Sequence, residues 1–248
     1  MSGEYGFLQL PESCVIDKTV FKKDILDNFG SATAADKRLF SEVVEKVVWR
    51  FCLRPDTIRV AGFVSEVYEY PEVEVLEIRV GVEKGISRIA EMVMRAIPYP
   101  MILVFRMGER WQFWVAHQRV NLQDRSRNTL EEFVHSGWVA AGDSLFAVMD
   151  LRRMRFANYF TLYADVVDAL SVYCVGCEGG VCSSGEAARE MLREAGEIDA
   201  EISRLRAEMK REDQFNRQME LHVQMMELKR KRASILCSKD TEEKTCFS

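Results

Sequence analysis

The residues best placed to do chemistry belong to two short motifs, Pro55-Asp56 and Glu77-Ile78-Arg79. Metal-dependent hydrolysis of a phosphodiester needs acidic groups that hold Mg²⁺ and a cation that stabilises the developing charge. Asp56, Glu77 and Arg79 supply these residue types in the order and approximate spacing of restriction-endonuclease-like nucleases. One hypothesis is therefore a Mg²⁺-dependent nuclease that uses these three residues.

The same motifs also have a non-catalytic interpretation. Arg79 stands where such nucleases carry a lysine, and a guanidinium is a poor substitute for a compact, titratable amine. In a strand, Glu77 and Arg79 lie on the face opposite to the neighbouring apolar residues, so we expect Glu77 to face solvent. Asp56 is explained equally well as a turn residue after Pro55. We therefore favour a protein without catalysis, which includes an inactive relic of the nuclease fold.

A cluster of three cysteines, Cys174, Cys177 and Cys182, resembles half of a zinc site. A structural zinc site needs four ligands, and this cluster supplies three. We expect these thiols to be incidental and the protein to need no cofactor, with Mg²⁺ required only under the nuclease hypothesis. A zinc-stapled module that binds nucleic acid stays open as a further alternative. The odd total of seven cysteines favours reduced thiols, hence the cytoplasm.

Charge and hydropathy narrow the classes of partner. The formal net charge of −5 gives no general attraction to nucleic acid. Any such contact would have to come from the basic run Lys229, Arg230, Lys231 and Arg232, although such runs are usually solvated helix faces. No apolar run is long enough to predict a membrane span, and no phosphate-binding glycine motif predicts a nucleotide-dependent enzyme.

The elements that must position these residues form a predicted α/β domain over residues 1–173. A capping box at Thr33 and Asp36 begins a helix whose apolar spacing continues to Phe51 and which Pro55 ends. The pattern then predicts strands over 57–63 and 73–80, a helix over 83–96, a hairpin over 101–105 and 111–116, and a helix over 156–173. One mixed sheet with flanking helices accommodates this order.

The C-terminal part has a different character. Residues 174–185 are rich in cysteine, glycine and serine and predict a linker, 186–237 predict a coiled-coil segment, and 238–248 predict a flexible tail. Apolar residues recur there at heptad spacing, namely Ile198, Ile202, Leu205, Met209, Met219, Val223 and Met226. A single helix cannot bury such a seam, so we expect it to pair with a second copy or a partner helix. Since neither glycine nor proline marks a turn near 213–216, one unbroken helix is favoured over a hairpin.

Several segments resemble a prokaryotic family known as DUF4391, a domain of unknown function. The matching segments are Leu10-Pro11-Glu12-Ser13, Asp36-Lys37-Arg38-Leu39-Phe40, Leu53-Arg54-Pro55-Asp56-Thr57-Ile58, Val75-Leu76-Glu77-Ile78, Ala96-Ile97-Pro98-Tyr99-Pro100 and Gln214-Phe215-Asn216-Arg217-Gln218-Met219-Glu220-Leu221. The resemblance implies companions of helicases and DNA methyltransferases in restriction-like or antiviral defence gene clusters. It implies no catalytic residues.

Together these observations favour a cytoplasmic accessory protein. We expect its α/β domain to dock a protein partner, such as a helicase or methyltransferase, and its helical segment to mediate assembly, including self-association. A Mg²⁺-dependent nuclease and a zinc-stapled module are the alternatives, and contact with nucleic acid stays open. No association with a membrane is expected.

Overall fold

The computed structural model describes residues 3–121, 128–182 and 184–237. The chain divides into two compact units, Met1–Leu170 and Ser171–Ser248. The predicted tail over 238–248 lies outside the described residues.

The first unit is built on a mixed sheet. Its strands are β1 (Val15–Val20), β2 (Val44–Leu53), β3 (Phe63–Val64), β4 (Glu69–Tyr70), β5 (Val73–Val80), β6 (Met101–Met107), β7 (Arg110–Val115), β8 (Gln118–Val120), β9 (Asn128–Leu130), β10 (Val134–His135) and β11 (Val139–Ala140). In the described residues seven of them form the main sheet, in the order β1-β2-β5-β6-β7-β10, with β11 also paired to β7. Strands β5 and β6 are parallel and their neighbours are antiparallel, which confirms the predicted mixed sheet.

α-Helices occur in both units. They are α1 (Lys22–Phe29), α2 (Ala34–Val43), α3 (Pro55–Ile58), α4 (Ile86–Ala96), α5 (Leu145–Val148), α6 (Tyr159–Cys177), α7 (Gly185–Met209) and α8 (Phe215–Cys237). Helix α4 makes the crossover that parallel strands require. Its apolar side packs with α1 and α2 against Leu76, Ile78 and Val80 of β5 and forms the larger core.

The predicted helix over 33–54 is correct only in its first half. Thr33 and Asp36 form the expected capping box, but α2 ends at Val43 and β2 begins at Val44. The spacing of the valines is compatible with either an amphipathic helix or a buried strand. This segment forms a strand because it pairs with β1 and β5. The predicted strand over 57–63 is wrong except at Phe63, where β3 begins. Helix α3 occupies Pro55–Ile58 instead, and Pro55 is a residue suited to the first helical position.

Helix α6 is the one described helix whose length and composition would suit a membrane span. Within the first unit it is instead a core helix. Tyr159, Leu162 and Tyr163 are fully buried, and the Tyr163 hydroxyl donates to the carbonyl of Met101 at 2.7 Å. The helix continues to Cys177, so the predicted linker over 174–185 starts later than expected.

The second unit is a helical hairpin, and the prediction of one unbroken helix is wrong. Helices α7 and α8 are separated at residues 210–214 and pack against each other. Glu212 closes the turn with two hydrogen bonds. Its carboxylate accepts from the backbone N–H of Gln214 at 2.9 Å, and its backbone carbonyl accepts from the side-chain amide of Gln218 at 2.6 Å. Polar side chains thus replace the glycine or proline that the sequence lacks there.

The hairpin divides the predicted seam in two. Ile198, Ile202 and Leu205 are buried, and Leu205 packs with Leu221 and Met225 of α8 in a small cluster that Met209 borders. The expectation that this part of the seam needs a second chain is therefore wrong, because α8 supplies the cover. The other part of the seam remains exposed and is described below.

Candidate functional site

Glu77 is the most unusual residue of the main sheet. It lies on β5, which has strands paired along both edges, and its side chain is 0% exposed. The expectation that Glu77 faces solvent is wrong, because the second face of the sheet is covered as well. The N-terminal segment lies over this face, where Tyr5 contacts the rings of Phe51 and Trp111.

Four side chains converge on the Glu77 carboxylate. The Tyr5 hydroxyl donates at 2.7 Å, the Arg79 Nε donates at 2.7 Å and the Arg50 guanidinium donates at 3.0 Å. The Arg106 guanidinium lies 3.9 Å away. Arg50 reaches this position because β2 carries one extra residue between Trp49 and Phe51 relative to β5, and such a bulge redirects a side chain. We call these five residues, Tyr5, Arg50, Glu77, Arg79 and Arg106, the Glu77 cluster.

An outer layer of acidic groups balances the arginines of the Glu77 cluster. Asp17 accepts from Arg50 at 2.7 Å, and Glu4 pairs with Arg106. The Arg106 guanidinium also lies over the Trp111 ring, 4.1 Å from its centroid. With Asp17 and Glu4 included, three carboxylates meet three guanidiniums, so the Glu77 cluster and its outer layer together carry no net charge that would favour a phosphate or a cation.

The electrostatics of Glu77 follow from these contacts. Burial by itself raises the pKa of Glu77, but the hydrogen bonds from Tyr5 and Arg79 and the charge of Arg50 outweigh it and hold the pKa below its ordinary value. Conversely, burial and the nearby Glu77 charge raise the pKa of the Tyr5 hydroxyl well above its usual range. A metal ion at Glu77 would have to displace these donors, so the arrangement is suited to holding the sheet and the N-terminal segment together.

Asp56 does not join Glu77. It lies in the first turn of α3, its side chain is 72% exposed, and its carboxylate pairs with Arg54 at 3.3 Å. Of the three predicted nuclease residues, the structure therefore brings together Glu77 and Arg79 in an ion pair and gives Asp56 a separate partner. The shared metal site that the nuclease hypothesis needs is not formed by these residues.

A second group of chemically active side chains lies at the other end of β5. Cys52 on β2 is paired with Glu74 on β5, and Glu72 precedes that strand. The Cys52 thiol donates to Glu74 at 3.3 Å and to Glu72 at 3.6 Å. One ligand atom from each of the three residues lies within 4.8 Å of the other two. We call this the Cys52 group.

Burial dominates the electrostatics of the Cys52 group. Cys52 and Glu74 are buried, and Glu72 is half-buried. Burial, together with the adjacent Glu72 carboxyl, raises the pKa of Glu74 to about 7 despite the hydrogen bonds that it accepts from Cys52 and Trp49. Burial and the charge of Glu74 likewise raise the pKa of the Cys52 thiol. A cation bound between these three side chains would stabilise their deprotonated forms.

The predicted cysteine cluster does not form a comparable group. Cys174 and Cys177 lie on α6, with Cys174 buried and Cys177 exposed, while Cys182 is partly buried against the apolar residues of the second unit. Burial raises the pKa of the Cys174 thiol to about 12. Around these cysteines, within residues 128–182 and 184–237, no three potential metal ligands come together as they do in the Cys52 group.

The basic run on α8 is divided between two roles. Arg232 is partly buried and pairs with Glu178 at 3.2 Å and with Asp199 at 2.8 Å, so it stabilises the hairpin. Lys229, Arg230 and Lys231 are exposed. The run therefore offers three solvent-facing charges rather than four.

The exposed part of the predicted seam forms an apolar stripe on α8. Met219, Val223 and Met226 are all exposed, and Phe215 at the start of the helix, which sequence reasoning overlooked, is 71% exposed. Their spacing of three and four residues places them on one face of α8, away from Leu221 and Met225 in the hairpin core. We call Phe215, Met219, Val223 and Met226 the α8 stripe.

Sequence reasoning missed most members of the two clusters. Within each cluster the missed members come from separate segments and share no motif: Tyr5, Arg50 and Arg106 in the Glu77 cluster, and Cys52, Glu72 and Glu74 in the Cys52 group. A signal was available in β5, where acidic residues stand on both faces of one strand. In a strand paired along both edges, each such acid must be buried with a partner.

The fold and these groups define a mixed α/β protein with a C-terminal helical hairpin and a buried carboxylate–arginine cluster. A family model described as "Domain of unknown function (DUF4391)" matches residues 8–233. The chain therefore belongs to the DUF4391 family, as the resemblance indicated. No curated protein and no solved structure matches the sequence.

Proposed function

We propose that this protein is a non-catalytic accessory protein that binds a DNA-acting partner, a helicase or a methyltransferase, through the α8 stripe. The observation that carries the proposal is the exposure of Phe215, Met219, Val223 and Met226 on one helix face. Aromatic residues and methionines are enriched in the buried centres of protein interfaces. Contiguous apolar surface of this kind marks interaction sites on soluble proteins.

The state of the predicted nuclease residues supports the non-catalytic part of the proposal. The Glu77 carboxylate is occupied by Tyr5, Arg50 and Arg79, and Asp56 pairs with Arg54 instead of facing Glu77. Two-metal and one-metal hydrolysis both require acidic groups that converge on one ion. The choice of a helicase or methyltransferase as partner rests on what the family resemblance implies, namely companions of such enzymes in defence gene clusters.

The test compares two variants of the full chain in co-purification with helicases and DNA methyltransferases of the native host. The variant Met219→Lys/Val223→Lys places charge in the α8 stripe. The control Gln224→Lys adds the same type of charge on the same helix, at an exposed position outside the stripe. We expect the control to retain the partner and the double variant to lose it, with unchanged helical circular dichroism in both.

Retention of the partner by the double variant would contradict the proposal, as would loss of the partner with both variants. Light scattering of the same proteins distinguishes a second occupant. A dimer of the wild type that the double variant abolishes, without any partner bound, would show that the stripe serves self-association instead. DNA cleavage in the presence of Mg²⁺ that Glu77→Ala abolishes would replace the accessory role with the nuclease.

A further inference from the structure

The Cys52 group has the composition of a transition-metal site. A thiolate and carboxylates are ligands of Zn²⁺ and its neighbours, whereas Mg²⁺ prefers oxygen ligands alone. The three ligand atoms lie within 4.8 Å of one another, a separation that one ion can bridge with small side-chain movements. This distinguishes the group from the predicted Cys174 cluster, where the thiols are dispersed.

A buried tyrosine near the Cys52 group has an unsatisfied hydroxyl. Tyr159, at the start of α6, is 0% exposed, and its hydroxyl has no hydrogen-bond partner. A buried polar atom without a partner is costly, and in native proteins it usually indicates a water molecule or an ion. Burial raises the pKa of the Tyr159 hydroxyl, and the charges of Cys14, Cys52, Asp56 and Glu72 add to this, so Cys52 and Glu72 are among the groups near the hydroxyl.

The local charge also suits a divalent cation. Cys52 and Glu74 face each other across paired strands in the buried sheet, so their deprotonated forms would be unfavourable there without a cation. A divalent ion would neutralise two of the three negative charges of a thiolate and two carboxylates.

We propose that Cys52, Glu72 and Glu74 bind one Zn²⁺-class transition-metal ion, with a water molecule in the fourth position. The Cys52 sulfur releases its proton to the solvent when the metal–sulfur bond forms, and no redox change takes place. The site would tie β2 to β5 and to the segment that carries Glu72. The expectation of no cofactor was based on the Cys174 cluster, and the present site involves different residues.

The test uses Co²⁺ as a spectroscopic probe for Zn²⁺ in the metal-free full chain. Thiolate coordination gives Co²⁺ a charge-transfer absorption in the near ultraviolet. We expect one equivalent of Co²⁺ to produce this band and Zn²⁺ to displace it. Cys52→Ser should abolish the band, and the matched control Cys177→Ser, at an exposed thiol in the second unit, should leave it unchanged.

A second variant keeps the test decisive if Cys52→Ser fails to fold. Glu72 is half-buried, so Glu72→Gln changes little of the core, yet it should weaken Co²⁺ binding by at least about tenfold. Absence of the band in the wild-type protein would overturn the proposal and leave the three groups sharing protons. A band that persists in a folded Cys52→Ser variant, or is lost in Cys177→Ser, would overturn it by placing the metal elsewhere, and so would unchanged affinity in Glu72→Gln.

Discussion

Replacing Glu77 with glutamine tests the role of the Glu77 cluster with very little change of volume. The substitution removes the negative charge but keeps an oxygen that can accept from Tyr5. Its new amide group meets the guanidinium of Arg50 or Arg79, where donor faces donor. The variant therefore leaves two guanidiniums near a buried position without their common counter-charge.

The expected cost follows from the burial of each partner. Removing one member of a fully buried ion pair costs about 3–5 kcal/mol. Here the Arg79 side chain is 42% exposed and Arg50 keeps Asp17 as a second partner, so water and Asp17 recover part of that loss. We expect Glu77→Gln to lower the free energy of unfolding by about 2–3 kcal/mol.

Urea unfolding followed by tryptophan fluorescence measures this change in the first unit alone. All four tryptophans of the chain, Trp49, Trp111, Trp114 and Trp138, lie before residue 171. The fluorescence signal therefore reports on the first unit, where Glu77 lies. The matched control is Glu42→Gln, which breaks an ion pair with Arg38 on the exposed surface of α2 and should change stability far less.

The dependence on pH gives a second check of the same reasoning. The folded pKa of Glu77 lies below its unfolded value of about 4.3, so its stabilisation is complete above that pH and is lost as the pH falls through the folded pKa. The stability difference between wild type and Glu77→Gln should thus be largest near neutral pH and shrink in acid. A Glu77→Gln variant as stable as Glu42→Gln would refute the structural role assigned to the cluster.

Two further predictions concern close packing and thiol exposure. A Cβ at Gly180 would lie 2.0 Å from a backbone oxygen of α8, so Gly180→Ala should destabilise the second unit by about 1–3 kcal/mol in thermal unfolding. The control is Gly176→Ala, which should not destabilise it, because a Cβ there meets nothing within 4 Å. In alkylation of the native protein followed by peptide mass spectrometry, exposed Cys177 should react first and buried Cys52 only after unfolding, because burial raises the pKa of its thiol. Equal rates for the two cysteines, or equal effects of the two alanines, would contradict these predictions.

Local sequence patterns determined several elements of this protein. The capping box at Thr33 and Asp36, the strand at Val73–Val80 and the amphipathic helix α4 all follow from spacings within a few residues. The helical character of the C-terminal segment follows from its composition in the same way. The resemblance to the DUF4391 family also came from the sequence itself and is confirmed over residues 8–233.

Tertiary structure decided the features that depend on neighbours far along the chain. The valine run of β2 fits a helix or a strand, and only its pairing with β1 and β5 selects the strand. Glu77 is buried because the N-terminal segment covers its face of the sheet, which the spacing within β5 does not reveal. The Cys52 group likewise exists only because β2 and β5 pair in one register.

The hairpin shows the same division on a larger scale. The heptad spacing of the segment correctly predicted an apolar seam, but spacing does not state which surface covers each part of it. Packing of α7 on α8 covers Ile198, Ile202 and Leu205 and leaves the α8 stripe exposed. Periodicity predicts which residues share a face of a helix. Whether that face is buried depends on the atoms that pack against it, and the tertiary fold determines which atoms those are.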